Sequence, residues 1–85
     1  MTGDDPRLTS GIHNLLAEYT RSVQIHTAWE EYDEHECYTA VEDEYLEFRR
    51  AVITDNNHGP HSKKVEALQL AVVALKAHIF YSQGV

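Results

Sequence analysis

The sequence predicts an all-α fold built from three helices, and three observations support this prediction. No segment alternates apolar and polar residues for long, and β-branched residues are scattered, so the signals of β-strands are nearly absent. Three stretches instead repeat apolar residues at the spacing of an amphipathic helix. Between the second and third stretches, residues 55–60 read Asp-Asn-Asn-His-Gly-Pro, a cluster that breaks helices and predicts a loop.

The first helix is predicted from Pro6 to the mid-twenties. Asp5 precedes Pro6, and an acidic cap followed by proline in the first turn is a common helix start. A start at Thr9 or Ser10 is the alternative. The apolar residues that follow helical spacing here are Ile12, Leu15, Leu16, Tyr19 and Val23.

The second helix is predicted from Glu36 to about Thr54, and the third from a cap at Ser62 to about Tyr81. Between the first and second helices, the stretch from Ile25 to His35 lacks a clean apolar stripe, and we interpret it as a connection. One line along the second helix carries Val41, Tyr45, Phe48 and Val52.

The third helix has almost no polar face, which predicts that it is buried on two sides. The chain has 85 residues and forms one domain, 1–85, and a domain of this size buries only about 60–65% of its unfolded surface. We therefore expect a homo-oligomer in which one side of this helix faces another subunit. The first side carries Leu68, Val72, Leu75 and Ile79, and the second carries Leu70, Val73, Ala77 and Phe80.

Composition excludes several classes of function. Fourteen acids against seven bases give a formal charge of −7, which repels nucleic acid phosphates, so no nucleic acid partner is expected. With Cys37 as the single cysteine, an intramolecular disulfide and a four-cysteine zinc site are both impossible. No secretory signal is visible, and the longest apolar stretch, Ala67 to Leu75, is too short to span a membrane. We expect a cytoplasmic protein.

Four polar residues lie where helical spacing predicts an apolar seam. Glu44 and Glu47 are three positions apart on the second helix, and Glu66 and Gln69 are three apart on the third. If the two helices pack antiparallel, the pairs converge, and three carboxylates with one amide suit Mg²⁺ or Mn²⁺ better than zinc. The alternative is an ordinary solvated face, because acid pairs at this spacing are common.

The same residues resemble a known family. Asp43-Glu44-Tyr45-Leu46-Glu47 is similar to the EExxE segment of the MazG-like nucleotide pyrophosphohydrolases, which are all-α NTP pyrophosphatases. Glu66-Ala67-Leu68-Gln69 is similar to the family's second segment, ExxD, and follows after a gap of 18 residues. The apolar run that ends at Leu75 also resembles short, phage-type members. The resemblance covers roughly residues 30–80.

The resemblance implies a four-helix-type bundle formed by a homodimer or homotetramer, with a nucleotide as substrate. A (d)NTP would be converted to the monophosphate and pyrophosphate. Glu44, Glu47 and Glu66 would be catalytic residues and metal ligands, with Gln69 as the fourth ligand. Gln69 replaces the family's aspartate and contributes neither charge nor basicity. The alternative function is therefore a non-catalytic module that binds a nucleotide or a protein.

Two lysines are candidates for binding phosphate. Lys76 lies two turns after Gln69 on the same face, and Lys63 opens the third helix near the possible metal site. The competing interpretation makes Lys76 a lysine whose stem packs on apolar surface while its ammonium group reaches water. Lys63 would then be an ordinary solvated charge, and Arg49 and Arg50 would pair with the nearby acids Glu42 and Glu47 on the surface.

Overall fold

The computed structural model describes residues 5–25 and 33–82. Within these ranges it contains the three predicted helices and no strand: α1 (Pro6–Ile25), α2 (Glu34–Ile53) and α3 (Lys63–Tyr81). The all-α prediction is confirmed. In the same ranges, no helix is both long enough and apolar enough to cross a bilayer. Most of the predicted connection between α1 and α2, residues 26–32, lies outside the described residues.

The helix starts follow from side-chain caps. α2 begins two residues earlier than predicted because Asp33 forms a capping box with Glu36. The Asp33 carboxylate accepts a 2.8 Å hydrogen bond from the backbone N–H of Glu36, and the Glu36 carboxylate accepts one of 3.2 Å from the backbone N–H of Asp33. The predicted cap of α3 is confirmed, since the Ser62 hydroxyl accepts a hydrogen bond from the backbone N–H of Val65.

The loop between α2 and α3 is short and internally bonded. Gly59 adopts a φ of 89°, a left-handed conformation that favours glycine. The Asn56 carbonyl accepts a 2.9 Å hydrogen bond from the backbone N–H of Lys63, and the Asn56 side-chain amide donates one of 3.1 Å to the His61 carbonyl. These bonds fix the first turn of α3, which carries Glu66, against the last turn of α2.

α3 contacts both other helices, with the more extensive interface on α2. Of the apolar residues named on its two predicted sides, only Val72 is buried, and the others are partly exposed. Contact of one of these sides with another subunit stays a prediction. The buried apolar residues in the described ranges are small: Cys37, Ala51 and Val72.

Most of the exposed large apolar residues in the described ranges lie on α1 and α2. On α2 they include Tyr45 and Val52 from the predicted apolar line, which are about half exposed, at 50% and 47%. The face of α2 that contacts α3 follows a different line, through Cys37, Glu44 and Ala51, which are spaced by two helical turns. The other exposed large apolar residues of these two helices are Leu8, Ile12, Leu16, Val23, Tyr38, Leu46 and Ile53.

Candidate metal centre

Three carboxylates converge where α2 and α3 meet. Glu44 and Glu47 lie one turn apart on α2, and Glu66 lies in the first turn of α3. One oxygen atom from each of the three side chains lies within 4.8 Å of the others. The structure therefore brings together the three acids that helical spacing selected.

Glu44 points inward because of its register on α2. Cys37 and Ala51, two turns before and after it, are buried at 0% and 3% exposure, so the backbone of α2 turns the position of Glu44 toward α3. The Glu44 side chain is consequently half-buried. An apolar residue usually occupies such a position in a helix interface. A carboxylate in the same position is costly unless a positive charge or a hydrogen-bond donor compensates for its burial.

Within the described part of the chain, no donor reaches Glu44 Oε2, although this oxygen is buried. The pKa of Glu44 is raised from 4.5 to about 7, first by burial and then by the neighbouring carboxylates of Glu47, Glu66 and Asp43. A carboxyl group in this position requires a proton or a cation. An oxygen with no partner, beside two other carboxylates, is the chemistry expected of a site for a hard divalent cation.

The three acids differ in their access to solvent. Glu66 is buried, with 5% exposure, while Glu47 is exposed. A cation held by Glu44 and Glu66 would therefore face solvent on the side of Glu47. Since Mg²⁺ prefers octahedral oxygen coordination and keeps several waters, an open side fits Mg²⁺ or Mn²⁺.

A cleft of about 290 Å³ opens beside the acids, between the end of α2, the loop and the start of α3. His61 lies at its edge, with Nδ1 3.8 Å from Glu66 Oε1. The cleft thus gives a ligand access to the buried carboxylate from solvent. Its lining residues are Glu47, Arg50, Ala51, Thr54, Asn56, His61 and Glu66.

Gln69, the predicted fourth ligand, is directed toward α1. Its side-chain nitrogen donates a 2.7 Å hydrogen bond to the Glu18 carboxylate, which also accepts hydrogen bonds from Arg21. Arg21 and then Gln69 lower the pKa of Glu18 from 4.5 to about 2, so Glu18 is ionised at neutral pH. The carbonyl oxygen of Gln69 remains an acceptor, and its role as a metal ligand stays a prediction.

The two candidate lysines lie in different environments. Lys76 is buried, with 5% exposure, and its ammonium group donates a hydrogen bond to the Ser22 hydroxyl of α1. The interpretation of Lys76 as a lysine that reaches water is therefore wrong, and burial lowers its pKa. The ammonium group of Lys63 pairs with Asp55 in the loop. Phosphate binding by either lysine stays a prediction.

Sequence reasoning missed the polar side of α1 that faces α3. The side chains of Glu18 and Ser22 lie one turn apart on this side and contact Gln69 and Lys76. Their spacing of four residues was a usable signal, since it continues the helical line from Leu15. His61 also lies beside Glu66, and nothing in its position in the sequence reveals this proximity.

Comparison of this chain with protein-family models, with curated proteins and with solved structures finds no significant match. The resemblance to the MazG-like proteins therefore stays a prediction, which depends on the two acidic segments around Glu44 and Glu66. The geometry of the carboxylates is independent of that resemblance.

Proposed function

We propose that this protein is a Mg²⁺-dependent nucleotide pyrophosphohydrolase that converts a (d)NTP to the monophosphate and pyrophosphate. The observation that carries the proposal is the convergence of Glu44, Glu47 and Glu66, together with a buried oxygen of Glu44 that no donor among the described residues reaches. Two acids from α2 and one from α3 supply oxygen ligands only, which favours Mg²⁺ or Mn²⁺ over zinc.

The different burial of the acids supports different roles for them. Glu66, which is buried, and Glu44, which is half-buried, would hold the cation, and Glu47, which is exposed and lines the cleft, would contact the attacking water. When bound, the cation neutralises phosphate oxygens and lowers the pKa of a bound water. Glu47 accepts a proton from the attacking water, whose oxygen bonds to the α-phosphorus. The bond from that phosphorus to the bridging oxygen breaks, and pyrophosphate leaves.

The proposed assembly is a homodimer or homotetramer in which helices of different subunits complete a four-helix-type bundle. The support comes from exposed apolar residues on both outer helices, such as Leu16 on α1 and Ile53 on α2, at 54% and 63% exposure. The small size of the buried apolar side chains also favours association, because the single chain has little core of its own.

A cytoplasmic location is part of the proposal. Cys37 is a free thiol that is buried under α3 and Tyr81, and burial raises its pKa. A buried thiol with a raised pKa is chemically inert, and an acidic protein whose single cysteine is free suits a reducing compartment.

Turnover of nucleotides tests the proposed activity. The protein is incubated with a panel of NTPs and dNTPs and with Mg²⁺ or Mn²⁺, and the monophosphate and pyrophosphate are quantified. We expect Glu44→Gln and Glu66→Gln each to lower the rate by roughly 100-fold or more, since metal-assisted charge stabilisation is worth several kcal/mol. Glu42→Gln, an exposed acid of the same helix, is the matched control. Absence of turnover with every nucleotide contradicts the activity.

A second candidate function is a non-catalytic module that binds a nucleotide with its cation. The observation that favours it is the hydrogen bond from Gln69 to Glu18, which commits the amide nitrogen to α1 and leaves the site without a fourth carboxylate. Equilibrium binding of a Mn²⁺–nucleotide complex without release of pyrophosphate identifies this function. Appearance of turnover in Gln69→Asp would then mark a site that has lost hydrolysis.

A further inference from the structure

The cleft beside the carboxylates has a basic wall as well as an acidic one. Glu47 and Glu66 line one part, and Arg50 and His61 line the same space at the end of α2 and in the loop. Among the described residues, Arg50 is the one arginine or lysine that lines this cleft. The chain has a formal charge of −7, and this guanidinium group supplies positive charge directly beside an acidic cluster.

Arg50 forms no ion pair with an acid in the part of the chain that the structure describes. Sequence spacing predicted that Arg49 and Arg50 pair with Glu42 and Glu47, but neither arginine forms an ion pair within residues 5–25 and 33–82. Arg50 is exposed in the last turn of α2, one turn after Glu47. Its fork of N–H donors is therefore available to a ligand, and phosphate is the anion that such a fork binds bidentately.

The backbone of His61, which also lines the cleft, is held by a hydrogen bond within the loop. The carbonyl of His61 accepts a 3.1 Å hydrogen bond from the Asn56 side chain, while its exposed ring lies against the Glu66 carboxylate. An imidazole ring carries at least one N–H donor in either protonation state. A ligand in the cleft beside Glu66 therefore has N–H donors of both Arg50 and His61 on the walls around it.

The charge of the proposed substrate requires such donors. A nucleoside triphosphate carries more negative charge than one divalent cation neutralises, and the carboxylates that would hold this cation add further negative charge at the same place. Additional positive charge near the phosphates is needed for the complex to form.

We propose that Arg50 and His61 bind the two terminal phosphates of the nucleotide, the part that leaves as pyrophosphate. The proposal rests on the proposed function, which it deepens by giving the substrate an orientation in the cleft. The α-phosphate lies at the carboxylates, the terminal phosphates extend along the cleft toward the loop, and the nucleoside lies outside it.

Equilibrium binding to the whole protein in Mn²⁺ tests this orientation with three probes: Mn²⁺ alone, inorganic pyrophosphate and a nucleoside monophosphate. Arg50→Gln removes the fork, and Arg49→Gln removes the same charge from a neighbour that does not line the cleft. His61→Gln is matched by His58→Gln, another exposed histidine of the loop. Arg50→Lys keeps the charge and loses the bidentate geometry.

We expect Arg50→Gln to weaken pyrophosphate binding roughly 10- to 100-fold, as for the loss of hydrogen bonds to a charged group. His61→Gln weakens it less, and Arg50→Lys gives an intermediate value. The affinities for Mn²⁺ alone and for the monophosphate stay within about twofold of the parent, as do all affinities of the two control variants.

Two results overturn the subsite. The first is an Arg50→Gln variant that binds pyrophosphate as tightly as Arg49→Gln does. The second is an Arg50→Gln variant that loses affinity for the monophosphate and keeps its affinity for pyrophosphate. Failure of the proposed function has a different signature, which is a parent protein that does not bind Mn²⁺ at all. A parent that binds Mn²⁺ and hydrolyses nucleotides while Arg50→Gln keeps its pyrophosphate affinity rejects the subsite alone.

Discussion

An oxygen atom of Glu44 on α2 lies within 4.8 Å of one of Glu66 on α3, although the loop at residues 55–60 separates them in the chain. The loop reverses the chain, and the caps at Asp33 and Ser62 set where the helices begin. Two ionised carboxylates at this separation repel each other. A proton on Glu44, whose pKa is raised to about 7, or a bound cation would relieve this repulsion.

The first prediction concerns the pH dependence of stability without metal. The pKa of Glu44 in the folded protein is about 7, above its ordinary value of 4.5. The protonated group therefore favours the folded state, and this contribution is fully present below about pH 4.5 and is lost as the pH rises through about 7. In a chelator, Glu44→Gln should melt higher than the parent at pH 8 and close to it at pH 4.5.

Thermal melting of both proteins across this pH range measures the effect. Solvent screening at a half-buried group reduces it, and about 1 kcal/mol, or roughly 4–8 °C in a domain of this size, is a reasonable scale. Glu42→Gln, on the exposed face, should melt like the parent at every pH. A difference between Glu44→Gln and the parent that does not change with pH contradicts the prediction.

The second prediction concerns the contact between α1 and α3. The pKa of Glu18 is lowered to about 2, so its stabilising contribution is present above about pH 4.5 and is lost as the pH falls toward 2. Glu18→Gln should lower the free energy of unfolding at pH 7 by about 1–3 kcal/mol, the usual worth of hydrogen bonds to a charged group. Urea denaturation at pH 7 and pH 3 measures both values. If Glu18→Gln lowers the free energy of unfolding by the same amount at pH 7 and at pH 3, the prediction is wrong.

The third prediction concerns the assembly. Leu46 and Ile53 lie two turns apart on the outer face of α2 and are exposed by 50% and 63%. Leu46→Glu and Ile53→Glu should each weaken self-association by roughly 10-fold or more, because a buried leucine or isoleucine contributes about 1.5–3 kcal/mol. Sedimentation equilibrium measures the mass, and Glu42→Gln is the control. A parent protein that sediments as a monomer at high concentration would falsify the homo-oligomer.

The helices and the carboxylate cluster could be predicted from the sequence, whereas the packing of α1 could not. Helical spacing places Glu44, Glu47 and Glu66 within a turn of buried positions, and one loop forces α2 and α3 together. For α1, spacing selects a stripe that includes Ile12 and Leu16, but both are exposed. The side of α1 that contacts α3 carries Glu18 and Ser22, which bond to α3, and a stripe selected by apolar residues alone does not include them.

Titration of the whole protein with Mn²⁺ at pH 8, followed by electron paramagnetic resonance of the free ion, tests the carboxylate site most directly. We expect one bound Mn²⁺ per chain, with affinity weakened roughly 10-fold or more in Glu44→Gln and Glu66→Gln and unchanged in Glu42→Gln. Affinity should also fall as the pH drops below about 7, since a proton then competes for Glu44. A parent protein that leaves Mn²⁺ free, or variants that bind it as the parent does, would contradict a metal site at these three acids.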